Sequence, residues 1–493
     1  MKRERFEFVC PGLFIAHGLA GTVVQRLERR GDSKPSVVHR LVYADADRKR
    51  HLIEFLPEIA AADGFTLLFD PKPPRGDPRC TRNAWSPESI DAWVGGTDVD
   101  PNVLISSLID KVKSAVWHHA DVSDAVETTI ALWIMLTFVP AFDTVPYLHA
   151  SGSQGCGKTV LLHLLGSLVH RPLTTSSGTG PSIFRSIHSL GCTFLLDEAE
   201  LLSPRSRSER ASDVMEVLLS GYKRGSPAIR CSGESHDVKQ FDLFGPKAIA
   251  CIETLPPTLA SRCITIPMAR KPPNATLPQP LHSSDQLRDN LYQFALTFGP
   301  QIAELASSNS TMNGTDLANR EADLFGPLLT IAKFLEERGA HGMRERVLAM
   351  TELQRAYADD GEEVDLHREV FRSLHRLRKQ QPKVLQAKDI LHDLRNHGIL
   401  DADVSDSSQT KIIGNTLRTY GVVPATSGGK RTYHRQHVSR IEDIMNMRGW
   451  LDADDGATEP ALLSGESSKA SEGSSVESES QSQVRTTGGL NDA

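Results

Sequence analysis

The sequence predicts an α/β protein whose core is a parallel β-sheet covered by helices on both faces. The first observation is an alternation of strand-like and helix-like segments over residues 144–270. The second is a glycine-rich stretch ending in Lys-Thr, residues 152–159, which lies between a strand-like and a helix-like segment. The third is an apolar run, residues 193–196, that ends in the adjacent carboxylates Asp197 and Glu198.

The glycine-rich stretch matches the phosphate-binding pattern G-x-x-x-x-G-K-[ST] in full. Residues 145–150 before it are apolar enough for a buried strand, and residues 160–169 after it are typical of a helix. Glycines let successive backbone N–H groups point at phosphate oxygens, and the following helix presents its positive end to the same anion. A glycine-rich turn without a ligand is the alternative. The predicted nucleotide-binding residues are Gly152, Ser153, Gln154, Gly155, Cys156, Gly157, Lys158 and Thr159.

The residue types at both motifs predict ATP and Mg²⁺ as cofactors. Lys158 would reach the β- and γ-phosphates, and the Thr159 hydroxyl would be a ligand of Mg²⁺. Asp197 would hold the same ion, directly or through water, and Glu198 would act as general base on the attacking water. The alternative for the acid pair is a strand that runs into an acidic surface turn.

Composition limits the class of protein. A chain of 493 residues holds about three domains by length, and 39% hydrophobic residues is ordinary for a globular protein. No apolar run approaches the roughly 20 residues that cross a bilayer, and the N-terminus lacks the apolar core of a signal peptide, so we expect a cytoplasmic protein. The net charge of −7 argues against nucleic-acid binding over the whole surface but allows a local basic surface.

Breaker residues and composition shifts divide the chain. The predicted division, in order, is a mixed α+β domain at 1–100, a helical segment packing on the core at 101–143, the α/β core at 144–270, a helical lid at 281–360, a further helical unit at 361–450, and a disordered tail at 452–493. Within the first domain we expect strands at 13–16, 37–43 and 65–69. Within the core we expect strands at 173–176, 247–252 and 263–268, helices at 181–190, 213–220 and 259–262, and a β-hairpin formed by 228–231 and 238–241.

The unit at 361–450 has the pattern of a winged helix, with three helices followed by a basic turn at 428–435. Its first helix has basic residues at i, i+4, i+8 and i+11, which share one face, and Arg418 lies on the third helix. A helical bundle with a solvated basic face is the alternative. The residues expected to contact DNA are Arg372, Arg376, Lys411, Lys430 and Arg431.

Residues 100–440 resemble the AAA+ ATPases, within them helicase superfamily 3 and the replication ATPases of phages and plasmids. Several stretches also resemble an uncharacterised family of mobile-element helicase or primase-helicase ATPases. Besides the two motifs above, the stretches that carry this resemblance are residues 195–200, 245–250, 255–259 with Arg262, and 319–329. The resemblance implies an AAA+-type P-loop NTPase core with a helical lid, flanked by the small N-terminal α+β domain and the winged-helix-like unit.

The resemblance also implies roles for residues outside the phosphate loop. Arg262 fits an arginine finger that reaches the γ-phosphate of a neighbouring subunit, with a salt bridge at a helix end as the alternative. Arg320 is a candidate sensor arginine from the lid. Thr254 or Glu253 would supply the sensor group after the strand at 247–252. A finger that acts on a neighbour requires a ring, which we expect to be a hexamer.

In this branch of the family the hairpin lines the pore of the ring and holds DNA. Arg230, His236 and Lys239 would have that role here. The turn itself carries acidic residues beside His236, which is poor chemistry for holding phosphates, so a purely structural hairpin is the alternative.

The function predicted from these features is an ATP-hydrolysing motor on DNA, a helicase or translocase in phage or plasmid replication. The alternative is an AAA+ switch or scaffold, such as a regulator or a defence component, in which ATP binding drives assembly without unwinding. The interpretation as a primase-helicase is disfavoured, because residues 1–100 are too few for a full primase and carry no cluster of metal-binding acids.

Overall fold

The computed structural model has two compact units, Met1–Gly361 and Glu362–Ala493. No described helix has both the length and the apolar character needed to cross a membrane. The tail at 452–493, for which disorder is expected, lies outside the described residues. The structure describes residues 5–10, 12–29, 34, 36–69, 84–118, 120, 122–175, 180–197, 209–232, 237–251, 255–308, 315–317, 319–360, 366–380, 385–400, 405–419, 422, 424–427, 430–433, 441 and 445.

The N-terminal part of the first unit consists of two small sheets. One has the antiparallel order β2-β3-β4-β5 and the other the order β1-β7-β6, with β1 parallel to β7. Phe14 and Phe69 pack edge to face across the core between them. The strands are β1 (Arg5–Val9), β2 (Phe14–Ala16), β3 (Leu19–Glu28), β4 (Ser36–Ala44), β5 (Arg50–Glu54), β6 (Glu58–Ala60) and β7 (Phe65–Phe69).

Three helices follow, α1 (Pro87–Val94), α2 (Pro101–Ala115) and α3 (Ser123–Leu136). From Ala125 to its last residue, α3 is buried on every face, as expected for a helix that is apolar all round. Trp133 is fully buried, and its indole N–H donates to the Pro146 carbonyl oxygen at 2.7 Å. That bond joins α3 to the chain just before the central sheet.

The central sheet has five parallel strands in the order β14-β8-β13-β10-β9, so the predicted parallel sheet is confirmed. Because all five run the same way, their carboxyl ends meet at one edge. The two strands β11 and β12 form a separate antiparallel hairpin. The elements are β8 (Tyr147–Ser151), α4 (Lys158–Leu168), β9 (Pro172–Thr175), α5 (Gly180–Leu190), β10 (Thr193–Leu196), α6 (Glu209–Ser220), β11 (Ala228–Ser232), β12 (Asp237–Phe241), β13 (Lys247–Cys251), α7 (Pro257–Ala260) and β14 (Cys263–Pro267).

Three long helices complete the first unit: α8 (Ser284–Ser307), α9 (Asn319–Glu336) and α10 (Met343–Asp360). Helix α8 packs on α2, α4 and β3, whereas α9 and α10 pack on α3. Their apolar side chains belong to the same continuous core as the central sheet.

A side chain of α10 takes the place of a neighbouring strand along the outer edge of β14. The Gln354 side-chain oxygen accepts a hydrogen bond from the Thr265 backbone N–H at 2.9 Å, and its amide group donates to the Cys263 carbonyl oxygen at 3.2 Å. The Thr265 N–H and the Cys263 carbonyl, which face away from β8, are thereby satisfied without another strand.

The second unit has three helices followed by a two-stranded hairpin, the order that the sequence predicts. The elements are α11 (Leu366–Gln380), α12 (Ala387–Asn396), α13 (Asp406–Thr419), β15 (Ala425–Ser427) and β16 (Lys430–Thr432). The helices enclose a core that includes Phe371, Leu394 and Ile413. An isolated β-bridge between Leu385 and Tyr433 ties the hairpin to the segment before α12.

We expect Gln354→Ala to loosen β14, because it leaves two backbone groups of the edge strand without partners, at a cost of about 1–3 kcal/mol. Amide hydrogen exchange over residues 263–267 should then accelerate about 10-fold or more, as local opening becomes easier. The matched control is Gln286→Ala, an exposed glutamine on α8, which should leave exchange in β14 unchanged. Equal exchange in both variants would show that Gln354 does not hold this edge.

Candidate nucleotide site

The phosphate loop joins the carboxyl end of β8 to the start of α4. Gly157 is the residue before α4 and has φ of 96°, a left-handed conformation that favours glycine. A Cβ on Gly152 would lie 2.5 Å from the Met268 carbonyl oxygen, so only glycine fits there. The loop therefore needs glycine at both of these pattern positions, because of backbone conformation at one and close approach at the other.

The Lys158 ammonium group is hydrogen-bonded to the backbone of the loop itself. It donates to the Gly152 carbonyl oxygen at 2.7 Å and to the Ser153 carbonyl oxygen at 3.0 Å. Phosphate oxygens are stronger acceptors than carbonyl oxygens for a cation. Thr159 is exposed in the first turn of α4, whereas Cys156 is only 6% exposed and so is shielded within the loop.

Asp197 directly follows β10 at the same sheet edge as the phosphate loop. Leu196 is in register with Ile249 of β13, which is in register with His149 of β8. Two strand spacings of roughly 4.8 Å therefore separate the acid from the loop strand, which leaves room for a hydrated cation. Glu198, the expected general base, lies outside the described residues.

The strand between them is β13, whose last residue, Cys251, is in register with Ser151. Strand β13 therefore ends between the strand of the phosphate loop and the strand of Asp197. Glu253 and Thr254 lie outside the described residues. His149 of β8 is uncharged at neutral pH, because burial and the nearby Lys158 charge lower its pKa to about 4.

The donor set suits Mg²⁺ rather than a metal held by protein side chains alone. Among the described residues no group of three His, Cys, Asp or Glu side chains could hold a metal ion. Magnesium usually keeps several waters and takes one or two protein oxygens together with substrate phosphates. Thr159 and Asp197, at the same edge of the sheet, would supply those protein oxygens.

Arg270 lies on the phosphate loop, although it belongs to neither of the two sequence motifs. Its Nη2 and Nε donate to the Gln154 carbonyl oxygen at 2.9 and 3.2 Å. It follows the last strand of the sheet by three residues, and the Met268 backbone N–H donates to the Ser151 carbonyl oxygen at 2.8 Å. The sequence offered only its position just after the predicted strand at 263–268, because the pairing of that strand with β8 is set by the tertiary structure.

Arg262 immediately precedes β14. It therefore lies where the strands of the sheet begin, opposite the edge at which they end and the phosphate loop starts. Its guanidinium donates to the Thr258 carbonyl oxygen of α7 and lies 5.8 Å from the centroid of the Tyr222 ring. Cys263 is in register with Tyr147, the first residue of β8. The length of β8, about 16 Å at 3.3 Å per residue, therefore separates Arg262 from the phosphate loop of its own chain.

Arg320 lies beside Arg262 and not at the phosphate loop of its own chain, the place expected of a lid sensor. Its guanidinium is 5.1 Å from the centroid of the Tyr222 ring and pairs with Asp323 at 3.6 Å. Burial raises the pKa of Tyr222 to about 12, so this ring stays uncharged between the two arginines. Both arginines line a surface pocket of about 630 Å³ that also includes Lys223.

The hairpin offers less positive charge than the sequence indicates. Arg230 donates to Glu216 of α6 at 2.8 Å, and its guanidinium lies 4.6 Å from the centroid of the Phe184 ring. Lys239 lies opposite Arg230 in the hairpin and is exposed, whereas His236 lies outside the described residues. On the other face of the hairpin Ile229 is 57% exposed and Val238 is 66% exposed.

In the second unit, acids compensate much of the basic face of α11. Arg372 pairs with Glu369 at 3.2 Å, and Arg376 pairs with Asp393 of α12 at 2.8 Å. Lys411 is instead exposed on α13. The backbones of Lys430 and Arg431 form β16, but the positions of their side chains are outside what the structure describes.

No protein-family model matches this chain, and no curated protein matches it. Among solved structures it is similar to the apo C-terminal region of NrS-1, with a TM-score of 0.34 and 13% identity over 80% of this chain and 93% of that one. It is also similar to a full-length MCM homolog from Methanopyrus kandleri, with a TM-score of 0.32 and 12% identity over 68% of this chain and 76% of that one. Likenesses this low carry no conclusion about fold or function, which rest on the residues of this chain.

Proposed function

We propose that this protein is an ATP-hydrolysing motor of the AAA+ type that acts on DNA, as a helicase or translocase in mobile-element replication. The observation that carries the proposal is a complete phosphate loop between β8 and α4, with Asp197 at the same sheet edge. Strand β13 between them supports this, because its end is the expected place of a sensor group.

Each group at this edge would have a separate role in ATP hydrolysis. The loop N–H groups and the start of α4 bind the phosphates, and Lys158 exchanges its loop carbonyl partners for phosphate oxygens. Thr159 and Asp197 would hold Mg²⁺, which when bound offsets phosphate charge. Glu198 would orient the attacking water and accept its proton.

The arginine finger would act on a neighbouring copy. Arg262 lies at the sheet edge opposite its own phosphate loop, so its guanidinium serves another subunit's nucleotide. Arg320, which shares the pocket around Tyr222, would then act on the same side. A head-to-tail contact of this kind closes into a ring, which we propose to be a hexamer.

DNA contacts would come from the second unit and the hairpin. Lys411 on the exposed face of α13, with Lys430 and Arg431 of β16, fits the recognition helix and wing of a winged helix. Arg372 and Arg376 would add less, because acids already compensate their charges. In the hairpin, Lys239 is the remaining described cation that is exposed.

The hairpin also favours a second candidate function, an AAA+ switch or scaffold that assembles without unwinding DNA. Arg230 forms an ion pair with Glu216, and Ile229 and Val238 are exposed on the opposite face of the hairpin. Exposed apolar residues suit contact with a protein better than contact with phosphates. In that case hydrolysis would not respond to DNA.

Steady-state ATP hydrolysis by the full chain, with and without single- and double-stranded DNA, tests the proposal. We expect DNA to stimulate hydrolysis, and Lys158→Ala and Glu198→Gln each to lower kcat at least about 100-fold, because phosphate binding or water activation is lost. A rate of ATP hydrolysis that does not change when DNA is added would favour the switch. An undiminished rate in Lys158→Ala would contradict the site.

Mixing variants tests whether Arg262 acts on a neighbour. Lys158→Ala and Arg262→Ala should each be inactive alone, but a mixed ring pairs an intact loop with an intact finger and should recover part of the activity. The matched control mixes Lys158→Ala with Glu198→Gln, in which every subunit has a defective loop site, and it should recover nothing. No recovery in the first mixture would count against a finger in trans.

Salt dependence tests the contact between the second unit and DNA. Lys411→Ala in the full chain should lower the slope of log K against log salt for duplex binding by about 1, because one phosphate contact is lost. Arg372→Ala is the matched control and should change the slope little, since Glu369 already pairs with that guanidinium. Fluorescence anisotropy across a salt series measures the slope for each variant. Identical slopes for Lys411→Ala and Arg372→Ala would show that Lys411 does not contact DNA.

A further inference from the structure

We infer that Arg270 is a second phosphate-binding cation of the nucleotide site, acting on the nucleotide held by its own chain beside Lys158. This inference rests on the proposed ATP-binding function. It concerns a residue that lies outside the phosphate-loop motif and outside the acidic motif at the end of β10.

The guanidinium lies over the outer turn of the phosphate loop. Its two bonds to the Gln154 carbonyl oxygen are 2.9 and 3.2 Å long, and a Cβ placed on Gly155 would lie 3.3 Å from its Nη2 atom. A guanidinium has further N–H donors beyond these, arranged in a planar fork that matches phosphate geometry. Arg270 can therefore add a phosphate partner, or exchange Gln154 for one, without a large movement.

The backbone that carries Arg270 is held against the loop. Strand β14 pairs with β8 over its whole length, from Cys263 to Pro267, and the Met268 N–H extends the pairing to the Ser151 carbonyl oxygen. Met268 then packs against Gly152 and Gly157. The position of Arg270 relative to the loop is thus set by the sheet, as a pre-organised ligand contact requires.

The charge of Arg270 is not compensated within the described part of the chain. Its hydrogen bonds there go to a carbonyl oxygen, as do the shortest bonds of Lys158, and neither cation forms an ion pair with a described carboxylate. Two cations that share one short loop repel each other, and a polyphosphate between them removes that repulsion. Among the described residues, the loop therefore has two cations beside it whose charge no carboxylate offsets, which suits a polyanion.

The other two candidate arginines lie at the opposite sheet edge. Arg262 and Arg320 share the pocket around Tyr222, so neither reaches the loop of its own chain. Neither arginine therefore supplies a cation to the nucleotide of its own chain. Arg270 lies at the sheet edge of that nucleotide, although it comes from the segment after β14 and not from a lid helix.

The test is equilibrium binding of a fluorescent ATP analogue to the full chain, with ATP, ADP and AMP as competitors. We expect Arg270→Ala to weaken ATP binding about 10- to 100-fold, the usual effect of losing a charged hydrogen bond to a ligand. AMP affinity should change little, because the loop holds the outer phosphates. Arg270→Lys should lie between, since it keeps the charge but not the fork.

Lys271→Ala is the matched control. Lys271 is the next residue, and its ammonium group bonds to the Pro272 and Ala275 carbonyl oxygens and not to the loop. It should bind ATP like the wild type, which separates a specific effect of Arg270 from a general loss of positive charge in this segment.

Two results would overturn the inference. One is unchanged ATP affinity in Arg270→Ala. The other is an equal loss of affinity for ATP and AMP, which would mean that the arginine only shapes the loop. A wild-type protein that binds no ATP would contradict the proposed function itself and with it this inference, and is distinguishable because it appears before any substitution is made.

Discussion

The pairing of β14 with β8 is the interaction on which the arrangement of the site depends. It places the segment Met268 to Arg270 against the phosphate loop at one sheet edge and Arg262 at the other. Gln354 of α10 holds the free edge of β14 through two backbone hydrogen bonds. One strand therefore links the arginine proposed to bind the chain's own nucleotide to the arginine proposed to act on a neighbour's. Any shift of β14 along β8 would move both arginines together, since the register is continuous from Cys263 to Pro267.

The cations of this protein fall into two groups according to what surrounds them. Arg230 and Arg376 form ion pairs with carboxylates of neighbouring helices, and Arg372 pairs with Glu369 of its own helix. The charge of these three arginines contributes to local packing more than to binding an anion. Lys158 and Arg270 bond instead to carbonyl oxygens of the phosphate loop, which phosphate oxygens can replace. The two groups look alike in the sequence, where both are basic residues near turns or on amphipathic helices.

Sequence patterns predicted the central sheet well because four of its five strands are short, largely buried runs beside a helix. The residue pattern also predicted the order of elements in the second unit. The N-terminal sheets were predicted less completely: β3 is the longest of their strands, yet Leu19–Glu28 mixes small, polar and charged residues and has no clear alternation. Its stability comes from its neighbours β2 and β4, as is usual for strands, whose preference depends on context more than on local sequence.

The sequence by itself determined the phosphate loop, since Gly152, Gly157 and Lys158 act through local backbone geometry and spacing along the chain. Only the tertiary structure decided at which end of the sheet each arginine lies. That placement depends on the strand order and on the edge where each strand ends, and both arise from contacts between residues distant in the chain. Arg270 lies 116 residues after Gln154 yet bonds to it, whereas Arg262, eight residues earlier, lies a full strand length away.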